Sequence, residues 1–177
     1  MKITHANLRN ELIELGKCHS LFVVLIGPPG SGKSTFLNGL KPHMPLIIAS
    51  TDDQIEEYAT EHGLTYSQAF DRINFKTLKR NMELAITEGV ANRMHVFVDQ
   101  TNMSRKSRSG KLKMAEGHMK VAVDFDVPDK VLLERLDARA AATGKIIPRS
   151  VFFSMMKTYE TPTREEGFER VYTATTF

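Results

Sequence analysis

Residues 27–34 read Gly27-Pro28-Pro29-Gly30-Ser31-Gly32-Lys33-Ser34, a full match to G-x-x-x-x-G-K-[ST], and Thr35 follows. No other feature restricts the fold of this chain as strongly. The pattern holds a polyphosphate only where a buried strand enters the loop and a helix leaves it. Both flanks comply: Leu21-Phe22-Val23-Val24-Leu25-Ile26 is an unbroken apolar run of strand length, and residues 34–40 read as the start of a helix. The glycines let the backbone curl so that its N–H groups point inward, and the helix N-terminus adds its positive end. Lys33 would reach the β- and γ-phosphates, Ser34 would ligate Mg²⁺ through its hydroxyl, and Thr35 would assist or pack. The loop alone does not separate a kinase from a motor, a switch or a transporter ATPase.

The remaining sequence repeats the alternation of strand and helix. Apolar strands are expected at residues 46–49, 94–98 and 120–127, with a short strand within 168–173. Helices are expected near 54–62, 66–88 (stopped by Gly89), 104–117 (capped by Ser104), 131–142 and 148–159. Residues 4–15 read as an amphipathic helix with Leu8, Leu12 and Leu15 on one side, able to pack on its own domain or on a partner. This pattern implies an α/β sandwich of the P-loop NTPase type, with a largely parallel sheet flanked by helices. The expected organisation is one domain over residues 1–177, with a helical extension at 1–20 and a helical lid at about 135–147.

Composition excludes several function classes. The longest apolar stretches are strand length, too short to span a membrane. Residues 1–17 carry Glu11 and Glu14 and lack an apolar core, so a signal peptide is not expected. Cys18 is the only cysteine, which rules out an intrachain disulfide and suits a reducing cytoplasm. The histidines are scattered, and no zinc site is expected. A net charge of +3 permits a polyanionic partner without demanding one.

In an open α/β sheet, ligands gather at the carboxyl ends of the strands. Asp52-Asp53 follows the second apolar strand. A carboxylate there could take the proton of an attacking hydroxyl. The plainer reading is that one of the pair caps the next helix. Asp99 closes the strand at 94–98 in a loose Walker-B pattern, which would place its carboxylate near Mg²⁺ or its waters. Gln100 follows, not the glutamate with which motor ATPases activate water, which favours transfer over hydrolysis.

Arg135 and Arg139 lie one helical turn apart and share a face. Followed by Ala140-Ala141-Ala142-Thr143-Gly144 and Lys145, they suit a mobile segment that steadies charge on a transferring phosphoryl group, or else a solvated helix face. Residues 105–113 form the densest basic run and could track a phosphodiester backbone, although a solvated basic helix is commoner.

Together these motifs resemble the kinase domain of 5′-hydroxyl polynucleotide kinases of the T-even bacteriophage and mammalian types. The matching segments are residues 27–35, Asp52-Asp53, Thr101-Asn102, Phe125-Asp126-Val127-Pro128, Arg135 with Arg139, Ile147-Pro148 and the tail 161–168. Likeness extends from about Leu21 to Val171. The resemblance implies ATP with Mg²⁺ as cofactor and a 5′ end of DNA or RNA as partner and acceptor. It implies Asp52 as general base, Lys33 and Ser34 on ATP-Mg²⁺, and Arg139 as the lid arginine that clamps the phosphates. Arg135 is expected on the nucleotide and Asp53, Thr101 and Asn102 on the acceptor side. It also implies the kinase module alone, without the phosphatase domain of those enzymes.

The chain departs from the phage pattern at two places. Thr51 stands where an arginine precedes the base, and Ile55 stands where another arginine grips a substrate phosphate. Either the grip is rebuilt from Arg72, Lys76, Arg105 or Arg108, or the acceptor is a small molecule, a nucleotide sugar or a tRNA-linked group.

Overall fold

The structure is a computed structural model that describes residues 1–175. Six strands, all paired in parallel, form one sheet in the order β1-β6-β5-β2-β4-β3. They are β1 (Lys2–Thr4), β2 (Leu21–Ile26), β3 (Leu46–Ser50), β4 (His95–Asp99), β5 (Met119–Phe125) and β6 (Arg170–Thr175). The helices are α1 (His5–Cys18), α2 (Lys33–Asn38), α3 (Thr51–His62), α4 (Tyr66–Arg72), α5 (Phe75–Ala91), α6 (Arg105–Leu112), α7 (Asp129–Thr143) and α8 (Arg149–Lys157). Central β2 has β4 on one side and β5 on the other, so the winding of the chain reverses at the phosphate loop, where such sheets bind ligands.

The apolar run of β2 explains its central place. Leu21, Val23 and Leu25 face one layer, against Leu8, Leu12, Phe36, Leu37 and Leu40. Phe22, Val24 and Ile26 face the other, against Met82, Ile86 and Leu112. A strand covered on both faces gains nothing from polar alternation, hence the unbroken hydrophobic stretch.

Four local expectations change. A strand, β1, precedes α1 and pairs with β6, and Leu8 and Leu12 are fully buried. Residues 2–18 are thus built into the sheet and its core, not a purely helical extension. The helix expected over 66–88 is broken after Arg72, where Asn74 caps α5 by accepting the Lys76 N–H at 2.9 Å. Gly89 lies inside α5 instead of stopping it, and a Cβ there would sit 2.7 Å from Val96 Cγ2, so the glycine lets the helix approach the sheet. The basic helix capped by Ser104 ends at Leu112, short of Gly117.

Candidate functional site

The phosphate loop, the C-terminal ends of β3 and β4, and the inner face of α7 line one cleft of about 1040 Å³. Gly30 and Gly32 hold φ of 84° and 97°, a region that favours glycine. Ser31 is fully buried, and Gly27 N–H donates to Thr101 O at 2.9 Å, which ties the loop to the segment after β4. Lys33 folds back on the loop. Its Nζ donates to Gly27 O at 2.8 Å, Pro28 O at 3.0 Å and Ser31 Oγ at 3.3 Å. Burial pushes its ammonium down to about 8, while Asp99 and Asp52 pull the other way. Pro29 and Thr35 line the same cleft.

Ser34 Oγ donates to Asp99 Oδ2 at 2.9 Å, so the two expected metal-side residues meet directly. Burial raises the Asp99 carboxyl above its ordinary value, and Asp53 and Asp52 add to the effect against Lys33 and Ser34. Arg135 Nη1 donates to Gly30 O at 3.1 Å. Arg139 lines the cleft with its Nε and Nη2 buried and without hydrogen-bond partners. Orphaned guanidinium donors over a glycine loop, beside a Ser–Asp pair, fit a polyphosphate with a hard divalent cation.

In the first turn of α3, Asp52 Oδ1 accepts from Tyr66 Oη at 3.0 Å, and Asp52 Oδ2 accepts from Lys145 Nζ at 2.8 Å. Burial alone would raise this carboxyl. The charge and hydrogen bond of Lys145, the Tyr66 hydroxyl and Arg139 outweigh it and hold it below the ordinary value. The helix cap expected from the aspartate pair is instead Ser50, whose Oγ accepts the Asp53 N–H at 3.2 Å. Both carboxylates are therefore left for the cleft, which both line.

Lys145 is the main residue that sequence reasoning missed. Its ammonium also donates to Glu56 Oε1 at 3.1 Å and lies 3.8 Å from the Tyr66 ring centroid, and its side chain is only 8% exposed. Ser67 Oγ donates to Gly144 O at 3.3 Å, so the segment after α7 is fastened to α4 as well as to Asp52. A signal was present: Asp52 and Glu56 are one turn apart on α3 and call for a cation. His5 and Lys111 line the cleft too. Burial leaves the Lys111 ammonium at about 8, and His5 Nε2 is buried without a partner.

Several acceptor-side expectations are corrected. Arg108 is fully buried, and its Nε and Nη2 each donate to a Glu166 carboxylate oxygen at 2.7 Å. Its Nη1 serves Asn102 O and Met103 O. It cannot touch a substrate without unfolding that corner. Asn102, 1% exposed at φ 49°, donates through Nδ2 to Leu25 O, Val98 O and Gln100 O and accepts from Lys111 Nζ. Its amide nitrogen holds strand ends together, and the residue lines the main cleft beside Thr101. Arg105 lies 3.9 Å from Glu166 and is absent from the cleft lining. With Arg108 buried and Lys111 in the cleft lining, the cations of the basic run that stay exposed are Arg105, Lys106 and Lys113. Arg72 is exposed on a second cleft of about 710 Å³ between α3 and α5. Thr101 and Asp53 line the main cleft. Ile55, 1% exposed, packs with Ala59, Ala69 and Leu78, so the site of the absent family arginine belongs to a small apolar core.

The parallel sheet, the loop at its switch point and the flanking helices define a P-loop kinase fold, a nucleotide-binding class. The chain belongs to the AAA domain family, which residues 22–162 match. It is 29% identical over 167 residues to the transcription factor bHLH140 of Arabidopsis thaliana, covering 91% of this chain but 16% of that protein. Among solved structures, it is similar to a chain of the Pnkp1/Rnl/Hen1 RNA repair complex (25% identity, TM-score 0.64), covering 79% of this chain and 44% of that one. It also shares its fold with a gluconokinase from Sinorhizobium meliloti 1021 (21% identity, TM-score 0.53), covering 88% and 83% of the two chains.

Proposed function

We propose that this domain transfers the γ-phosphate of ATP to the 5′-hydroxyl end of DNA or RNA. The observation that carries this reading is that Asp52, its carboxyl held below the ordinary value, lines one cleft with Lys33, Ser34, Asp99 and Arg139. The donor side is then Lys33 with Arg139, and the acceptor side Asp52.

Lys33 exchanges two loop carbonyls for phosphate oxygens as the nucleotide enters. The unpartnered donors of Arg139 then find acceptors on the transferring group, where charge develops. Ser34 and Asp99 would hold Mg²⁺, which when bound supplies charge neutralisation at the phosphates. Asp52 orients the 5′-hydroxyl and accepts its proton. The new P–O bond forms to the 5′ oxygen as the bond from the γ-phosphorus to the β,γ-bridging oxygen breaks, releasing ADP. Loose phosphoryl transfer asks mainly for alignment, so a weakly basic carboxylate is adequate. Lys145 must loosen from Asp52 Oδ2 or share it with the hydroxyl, and this makes the segment 135–147 a lid that reports on both substrates.

The polynucleotide assignment draws support from the 25% identity to a chain of an RNA repair complex. A second reading, a small-molecule kinase, draws support from buried Ile55, which removes one expected phosphate contact. Purified protein, labelled ATP and a panel of 5′-hydroxyl oligonucleotides and nucleosides separate the two. The first reading expects transfer to 5′ ends with apparent affinity rising with chain length. Transfer to small acceptors only would establish the second.

A further inference from the structure

We propose that Phe70 and Phe75 form a stacking platform for the unpaired bases of the acceptor strand as it leaves the cleft. The proposal rests on the polynucleotide reading and adds where the strand goes and what grips it.

Tyr66, whose ring is taken by Lys145 and the small core, links the platform to the proposed base, since its Oη donates to Asp52 Oδ1 at 3.0 Å. Phe70 lies one helical turn on along α4, with ring centroids 6.2 Å apart and planes 31° apart. Phe75 continues the series at 4.8 Å from Phe70, at 70°. The break between α4 and α5 brings this ring into place: Asn74 caps α5, and Phe75 is the first residue of that helix. Phe70 is 43% and Phe75 51% exposed, and neither belongs to a core cluster among the described residues. Their rings therefore lie open to solvent.

A packing role accounts for Tyr66, which lies against the small core around Ile55, but not for the other two. The surrounding charge selects the occupant. Lys76, Lys79 and Arg80 are exposed on the turns of α5 that follow Phe75, and Arg72, on the neighbouring cleft, is exposed in the same stretch, against Asp71 and a loose Lys79–Glu83 pair at 3.7 Å. Aromatic faces interleaved with cations bind single-stranded nucleic acid, because every base has a stacking face and every linkage a negative charge. The platform supplies on the acceptor side what buried Ile55 and Arg108 do not. A protein partner would want apolar surface without the cationic surplus.

The test compares wild type, Phe70→Ala, Phe75→Ala and the double variant on three acceptors. These are a nucleoside 3′-monophosphate, a six-residue 5′-hydroxyl oligonucleotide, and the same oligonucleotide abasic beyond its 5′ residue. Melting midpoints close to wild type are expected, since the rings are exposed. Stacking of the usual strength predicts that each single variant raises KM for the full oligonucleotide about five- to a hundredfold. The KM for the nucleoside 3′-monophosphate and kcat should stay as in wild type. Removal of the bases should raise KM in wild type but not in the double variant, a coupling that a structural role would not produce. An unchanged oligonucleotide KM in both single variants, with wild-type transfer intact, overturns the platform and leaves the kinase reading standing. Absence of transfer to any oligonucleotide by wild type overturns the kinase reading and the platform together.

Discussion

Replacing Arg108 with methionine should destabilise the fold by about 3–5 kcal/mol, the range for breaking a buried ion pair by removing one partner. The number follows from what is stranded. Glu166 keeps a side chain only 7% exposed and loses both 2.7 Å donors. Its remaining partners are the Thr163 N–H at 3.1 Å and the half-exposed Arg105 at 3.9 Å. Asn102 O and Met103 O lose their shared donor as well. For a domain of this size the loss corresponds to a fall in Tm of roughly 6–20 °C. Denaturant titration at pH 7 measures it, and Arg108→Met with Glu166→Leu should recover most of the deficit because no charge is then left alone. Glu166 adds a pH signature. Burial would raise its carboxyl, but Arg108 and the Thr163 N–H hold it below the ordinary 4.5. Its stabilisation is thus complete above the unfolded value and lost as pH falls through the lower folded one. The gap between wild type and Arg108→Met should narrow below that range. A variant with wild-type stability that has lost oligonucleotide binding would refute this account and restore Arg108 as a substrate contact.

Further outcomes are expected elsewhere in the molecule. Lys145→Met removes the charge that holds the Asp52 carboxyl down, so the acidic limb of the kcat–pH profile should move to higher pH; an unmoved limb would detach Lys145 from the base. Gly89→Ala gains up to about 1 kcal/mol of helix propensity. It also drives a Cβ to 2.7 Å from Val96 Cγ2. Overpacking of about 1–3 kcal/mol should win, and the denaturation midpoint should fall. Lys33→Met should abolish detectable nucleotide affinity in a fluorescent-ATP titration while leaving the fold intact, and retained affinity would show that the loop does not hold the phosphates.

What was legible in the sequence is what is local. The strand, glycine loop and helix around Lys33 follow from consecutive residues, as does each carboxylate at a strand end. Strand β1 was not legible, because Lys2-Ile3-Thr4 owes its state to pairing with β6 at the other end of the chain. The helical periodicity of Ala69, Ile73, Leu78 and Met82 runs straight across the break at Asn74, and only the cap betrays it. Arg105 and Arg108 look alike in sequence. What separates them is burial: both reach Glu166, 58 residues beyond Arg108, but Arg108 is sealed against it by two 2.7 Å bonds while Arg105 stays half-exposed at 3.9 Å. Lys145 meets Asp52 across 93 residues, a pairing set by the turn after α7, which Ser67 of α4 also holds at Gly144 O.

The central claim is that Asp52 faces a bound triphosphate as the acceptor-side carboxylate. Wild type and Asp52→Asn, each with labelled ATP and a 5′-hydroxyl oligonucleotide, test it most directly. The account predicts transfer of label to the 5′ end by wild type and near-complete loss in Asp52→Asn, with ATP affinity unchanged. Transfer by Asp52→Asn at a rate close to wild type would contradict it.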